Sequence, residues 1–214
     1  MADTEAEVPM SVVETIKEKA ERVTRIGRPG DPGALVRPKA ARLFWFEDDG
    51  FIPNHPRWPL ILYRSVIRRP RWLDPAAIFE DLFAMNGWAE SWRNGIFPYV
   101  HYHSRIHEVL GVARGVASVQ FGGPHGRTVR IKAGDVAVLP AGTGHQCLEA
   151  SEDFLVVGAY PPRGTYDVCT SVRVHARAVK TIAKVPRPAR DPVYGKGDGL
   201  LSAWEQSRRR SKRP

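Results

Sequence analysis

Cysteine is scarce: the 214-residue chain has two, Cys147 and Cys169. They form neither a Cys-x-x-Cys pair nor a disulfide framework, which excludes a disulfide-stapled scaffold and a dithiol redox motif. No charge-free apolar run approaches the roughly 18 residues a membrane-spanning helix needs, so no membrane partner is expected. The acidic start, Met1 to Glu7, lacks the basic and apolar regions of a signal peptide. A cytoplasmic location is the simplest expectation. No Walker loop, dinucleotide fingerprint or nucleophile elbow is present. The Gly195–Gly199 loop is read without the following helix that a phosphate site needs. Helix-turn-helix, zinc-finger and RNA-binding signatures are also missing, so no nucleic-acid partner is expected despite the formal charge of +9. Much of that charge sits in one terminal run, Arg208, Arg209, Arg210, Lys212 and Arg213 against Glu205. It reads as a solvated tail, although such a run could touch an acidic partner.

What is present suits one globular domain, with 43% hydrophobic residues. Residues 1–40 read as an extension. Ser11 and Glu14 form a possible capping box, and Val12, Val13, Ile16, Ala20 and Val23 recur at helical spacing. A Gly/Pro-rich linker follows through Gly27, Pro29, Gly30, Pro32 and Gly33. Strands are expected around Leu43-Phe44-Trp45-Phe46 and over 59–64. Between them and the later strands, Asp74 as N-cap, Pro75 at the first helical position and Gly87 near the C-cap bound a helix. From Gly95 onward, short alternating runs separated by Gly/Pro turns predict a sandwich or barrel. The domain is expected over 41–204, with 205–214 as the basic tail.

Two patterns carry chemistry. The first is Gly95-x5-His101-x-His103-x4-Glu108-x6-Gly115. The second is Gly134-x5-Pro140-x-Gly142-x2-His145. Alternation in a strand puts His101 and His103 on one face, about 6.6 Å apart along the backbone. Glu108 returns after a short turn, and His145 arrives from a distant strand. Three imidazoles and a carboxylate suit one divalent transition metal, Fe, Mn, Ni, Cu or Zn, rather than an all-oxygen Ca or Mg cage. The alternative is a set of hydrogen-bonded structural histidines. His107 has the opposite parity and reads as a neighbouring hydrogen-bonder. Phe97, Tyr99 and Phe121 have inward parity and either line a ligand cavity or fill the core. Cys147 shares the parity of His145 and is either cavity-facing or a small apolar filler. Arg93 either holds a substrate carboxylate or ties down the incoming loop. Glu149 is either a general base or a surface charge.

Together the patterns resemble the two motifs of the cupin superfamily. The second departs at its last position, where Glu149 replaces the family's Asn, a residue outside the four usual ligands. Phe44-Trp45-Phe46, Asn54-His55-Pro56, Asn86-Gly87-Trp88, Ser91–Phe97 and Asp191–Gly195 are similar to the YjlB-like cupins, a small bacterial group. The resemblance covers roughly Leu43 to Trp204. It implies an all-β double-stranded β-helix, or jelly-roll barrel, with a few peripheral helices. It also implies a homodimer and a metal-dependent enzyme acting on a small organic molecule. Dioxygenation is the first reaction class and isomerisation the second; the alternative is a non-catalytic small-molecule sensor.

Overall fold

The computed structural model describes residues 26–210. Among these residues, nine strands form two sheets. They are β1 (Arg42–Phe44), β2 (Leu60–Tyr63), β3 (Ala89–Asn94), β4 (Glu108–Arg114), β5 (Val116–Phe121), β6 (Arg127–Lys132), β7 (Val136–Leu139), β8 (His145–Ala150) and β9 (Leu155–Tyr160). The large sheet runs β1-β2-β7-β4-β9-β3 and the small one β6-β5-β8, with all pairings antiparallel. Helices α1 (Pro75–Met85), α2 (His175–Ile182) and α3 (Leu200–Arg210) lie around this double-stranded β-helix.

Helix α1 forms where local signals demand it. The Asp74 side chain accepts from Ala76 N, and Pro75 occupies the first turn. Its apolar face covers the large sheet, which explains why β4 is buried on both sides. Val109 and Ala113 pack in one cluster with Phe79 and Phe83. Leu110 and Val112 face the other way and pack with Val119, Phe121 and Ile131 between the sheets. An ideal Cβ on Gly111 would lie 2.4 Å from the Phe79 ring, so glycine is what lets α1 sit this close. Burying each large side chain here contributes roughly 1.5–3 kcal/mol.

The flanking segments are less separate than their composition suggests. The stretch expected as a linker is bonded onto the domain. Asp74 N donates to Gly27 O at 2.7 Å, and Arg37 N donates to Val66 O at 2.8 Å. The Arg28 guanidinium pairs with Glu80 and Asp81, both at 2.6 Å. At the other end, buried Asp191 gathers the chain. Its Oδ1 accepts from Val193 N and Tyr194 N, and its Oδ2 from Leu200 N and the Tyr63 hydroxyl. Helix α3 follows directly on the Gly195–Gly199 loop, where no helix was expected. Its first amide is already taken by Asp191. Trp204 then stacks on Trp58 at 4.8 Å and donates from Nε1 to Pro59 O. The strand expected through Trp45 and Phe46 stops at Phe44. The helix expected over Ser11–Val23 lies outside the described residues, as does the end of the basic tail. No helix among the described residues is long and apolar enough to cross a membrane.

Candidate metal centre

His101, His103 and His145 converge at one end of the barrel, all buried, each offering a ligand atom within 4.8 Å of the others. Backbone pairing brings two of them together. His101 and His145 form an antiparallel bridge, His101 N to His145 O at 3.2 Å and His145 N to His101 O at 2.9 Å. Their ring centroids are 4.0 Å apart. His103 is fixed by Gly142 N, which donates to its carbonyl at 2.7 Å. Asn54, in the Asn54-His55-Pro56 loop, supports the approach to His145 by accepting from Gly144 N at 3.3 Å.

The tautomer of each imidazole follows from its outer partner. Nδ1 of His101 meets Tyr99 O at 3.1 Å, Nδ1 of His145 meets Thr143 O at 3.1 Å, and Nδ1 of His103 meets Asp167 O. A carbonyl only accepts, so each Nδ1 carries the proton and, in the neutral ring, each Nε2 keeps its lone pair. Nε2 of both His103 and His145 lies 3.4 Å from Glu108 Oε2. That oxygen is buried and, among the described residues, has no hydrogen-bond donor. Burial alone would push the Glu108 carboxyl up, but His103 and His145 hold it below the usual carboxylate range. Burial and the two neighbouring imidazoles hold His101 down at about 2. Three clustered imidazoles beside an orphaned carboxylate oxygen fit the donor set of a cation site; without a cation, so much buried polarity is costly.

Aromatic rings border the cluster. Phe97 and Tyr99 stack at 4.9 Å beside His101. Tyr160 and Tyr166 flank His103, at 6.2 and 4.9 Å between centroids. Phe121 lies across from His145 in register and is fully buried. Cys147 is half-buried against the apolar core, and burial raises its thiol pKa. Glu149 is exposed, further along β8. His107 does face away: its Nδ1 accepts from Ala141 N at 2.9 Å, and its Nε2 donates to Pro186 O at 3.1 Å. Arg93 does not belong with the substrate-facing residues. It projects toward α1, where its guanidinium binds Glu80 and Asp74 at 2.8 Å, so it ties β3 to the helix and cannot reach a ligand in the barrel.

The Cupin family model matches residues 91–163, the stretch that holds all four candidate ligands. The chain is 41% identical to the uncharacterized protein YjlB of Bacillus subtilis (strain 168) over 167 residues, which is 78% of this chain and 98% of that protein. The chain belongs to the cupin family, in its YjlB-like group. Among solved structures, this cupin is similar to procruciferin, an 11S globulin from Brassica napus. The identity is 17% and the TM-score 0.31, over 42% of this chain and 29% of that one. It is also similar to acireductone dioxygenase from Bacillus anthracis, which has a cadmium ion in its active centre. There the identity is 19% and the TM-score 0.29, over 40% of this chain and 59% of that one. This cupin thus spans less than two thirds of either solved chain.

Residues that the sequence reading passed over also belong to this site. Tyr160 and Tyr166 come from β9 and the loop after it. Asp167 organises the loop next to His103, accepting from Ser104 N at 2.9 Å and from Arg105 N at 3.1 Å. Tyr160 carries a weak signal, since it continues the alternation of Val156 and Gly158. Asp167 carries none, because its contacts depend on a turn 63 residues away.

Proposed function

We propose that this cupin binds one divalent transition metal ion (Fe, Mn, Ni, Cu or Zn) on His101, His103, Glu108 and His145, and is an enzyme acting on a small organic molecule. The observation that carries the reading is the clustering of three buried imidazoles whose ligand atoms lie within 4.8 Å of one another, two of them with Nε2 3.4 Å from a Glu108 oxygen that has no donor among the described residues. When bound, the ion supplies Lewis acidity and, if redox-active, electron transfer.

The chain's own residues do the rest. Backbone carbonyls of Tyr99, Thr143 and Asp167 hold the three rings in one tautomer. Phe97 and Tyr99 on one flank, and Tyr160 and Tyr166 on another, offer flat apolar walls to a small ligand and keep bulk water from the ligand atoms. Phe121 and Cys147 close the barrel behind. Burial, followed by the charge of Glu108, raises the Tyr160 pKa, so this phenol is a proton donor at neutral pH and not a base. Cys147 is likewise held as a thiol by burial. Isomerisation by proton shuttling needs a base poised near the working pH, and these walls supply donors instead. Dioxygenation of a small organic substrate is therefore the first reading and isomerisation the second. The homodimer and the cytoplasmic setting belong to the same proposal.

Elemental analysis of protein purified without chelator is expected to find about one transition metal ion per chain. Fe²⁺-loaded protein is then expected to consume dioxygen with a subset of a panel of small oxygen-bearing metabolites. Protein that remains metal-free after reconstitution with all five ions would sink the proposal. Saturable binding of a panel member without turnover would replace the enzyme by a sensor.

A further inference from the structure

Three neighbouring strands of the large sheet each place one polar side chain on the barrel-facing side near the candidate centre. Register pairs Val109 with Ala159 and Leu110 with Gly158, which sets Tyr160 opposite Glu108. Strand β3 places Trp92 opposite Gly158. An ideal Cβ on Gly158 would lie 2.0 Å from the Trp92 ring. The indole therefore rests directly against the strand backbone, in space that only glycine leaves. From there Trp92 Nε1 donates to the Tyr160 hydroxyl at 2.9 Å. With that oxygen accepting from the indole, the phenol keeps its own proton for an acceptor, and the carboxylate across from it in register is Glu108.

We infer that Trp92 and Tyr160 are positioning residues for the metal centre: the indole orients the phenol, and the phenol holds Glu108 so that Oε2 faces the imidazoles. The inference rests on the metal-binding reading above and goes beyond it by naming what sets the carboxylate. Packing alone does not account for the pair. Two apolar rings would fill the same volume without burying an indole N–H and a phenol O–H, and each of those costs free energy unless bonded. Here the partners lie in series and end on the one ligand that is not an imidazole. The imidazoles are each set by a backbone carbonyl, whereas a carboxylate has no proton to donate and must be held by a donor.

The test uses the full chain and Co²⁺, whose visible absorption reports its ligand set. Affinity is measured by competition with a chromogenic chelator for wild type, Tyr160→Phe, Trp92→Phe and the double variant. Circular dichroism of the metal-free proteins establishes that each is folded. Tyr160→Phe is expected to weaken Co²⁺ binding about 10- to 100-fold and to alter the absorption bands. Trp92→Phe should act in the same direction by less, and the double variant should be no weaker than Tyr160→Phe, because the two act in series. Tyr160→Phe removes one oxygen and keeps the ring, so it carries the test even if Trp92→Phe does not fold. Wild-type affinity and an unchanged spectrum in Tyr160→Phe would overturn the relay while leaving the metal centre standing. A folded wild-type protein that binds no Co²⁺ would overturn the centre and the relay together.

Discussion

His55 shows how one side chain can set the acid limit of this fold. It is buried, stacked on Trp58 at 4.4 Å, and its Nδ1 accepts from Arg57 N and Trp58 N. Burial, then His107 and Arg57, lower its pKa to about 2. The sign follows directly. The unfolded chain takes up a proton near pH 6.5 and the folded chain does not, so stability is lost as pH falls below about 6.5, toward the folded value. The slope is about 1.4 kcal/mol per pH unit for this one group. His55→Asn keeps an acceptor for the same two amides, as an Asx-type turn, and removes the titration. Urea unfolding of metal-free protein between pH 7 and pH 5 is expected to show a shallower loss in His55→Asn. An identical slope in both proteins would mean that other groups set the acid limit. From sequence, His55 was one residue of a loop. It lies against Trp58 and His107, and both of those rings pack on Trp204, 149 residues further along. The clustered histidines were legible because their spacing is local: two alternate along one segment, and the third follows a Pro-x-Gly turn.

At the scale of elements, legibility follows the range of the forces that shape each one. Helix α1 was predicted with the right cap because Asp74 and Pro75 act within one turn. Strands β5 and β6 were readable from alternation and turn glycines, and β7 and β9 from short apolar runs. The segment from Gly27 to Lys39 was not, since glycine and proline mark it as a linker while its real partners are distant. The Arg28 side chain is 6% exposed and binds carboxylates 52 and 53 residues away. With Arg93, Asp74, Glu80 and Asp81 it forms a buried charge network under α1. Removing one member of such a network costs about 3–5 kcal/mol, because a charge is left buried without its partner. A chain spanning 26–204 is expected to match the full-length protein in urea midpoint. One spanning 41–204 should fall below it by the equivalent of at least about 3 kcal/mol. Equal midpoints for the two truncations would show that Arg28 contributes nothing net and that the domain starts at residue 41.

For the whole molecule, the open question of surface is β1. It is the edge strand of the large sheet. Leu43 and Trp45, on and just beyond it, remain 42% and 49% exposed. An edge with free backbone groups beside exposed apolar side chains invites pairing. A twofold mate would cover both at once. Light scattering at micromolar concentration is expected to give about twice the 23.9 kDa chain mass. Trp45→Glu should shift the protein toward the monomer without loss of helical or strand signal. A wild-type monomer at every accessible concentration would leave β1 a tolerated open edge.

The Asp191 knot and the Trp204 stack also impose an order in time. Trp58 waits for a partner made much later, since Trp204 follows by 145 residues the Pro59 carbonyl that it caps. During synthesis every barrel strand and every candidate ligand leaves the ribosome before that partner exists. The sheets can pair and the histidines can meet while the Trp58 face is still wet. Covering of the Trp58 face therefore follows pairing of the sheets, and a chain that stopped short of Trp204 would carry all four candidate ligands on a barrel left uncovered at Trp58.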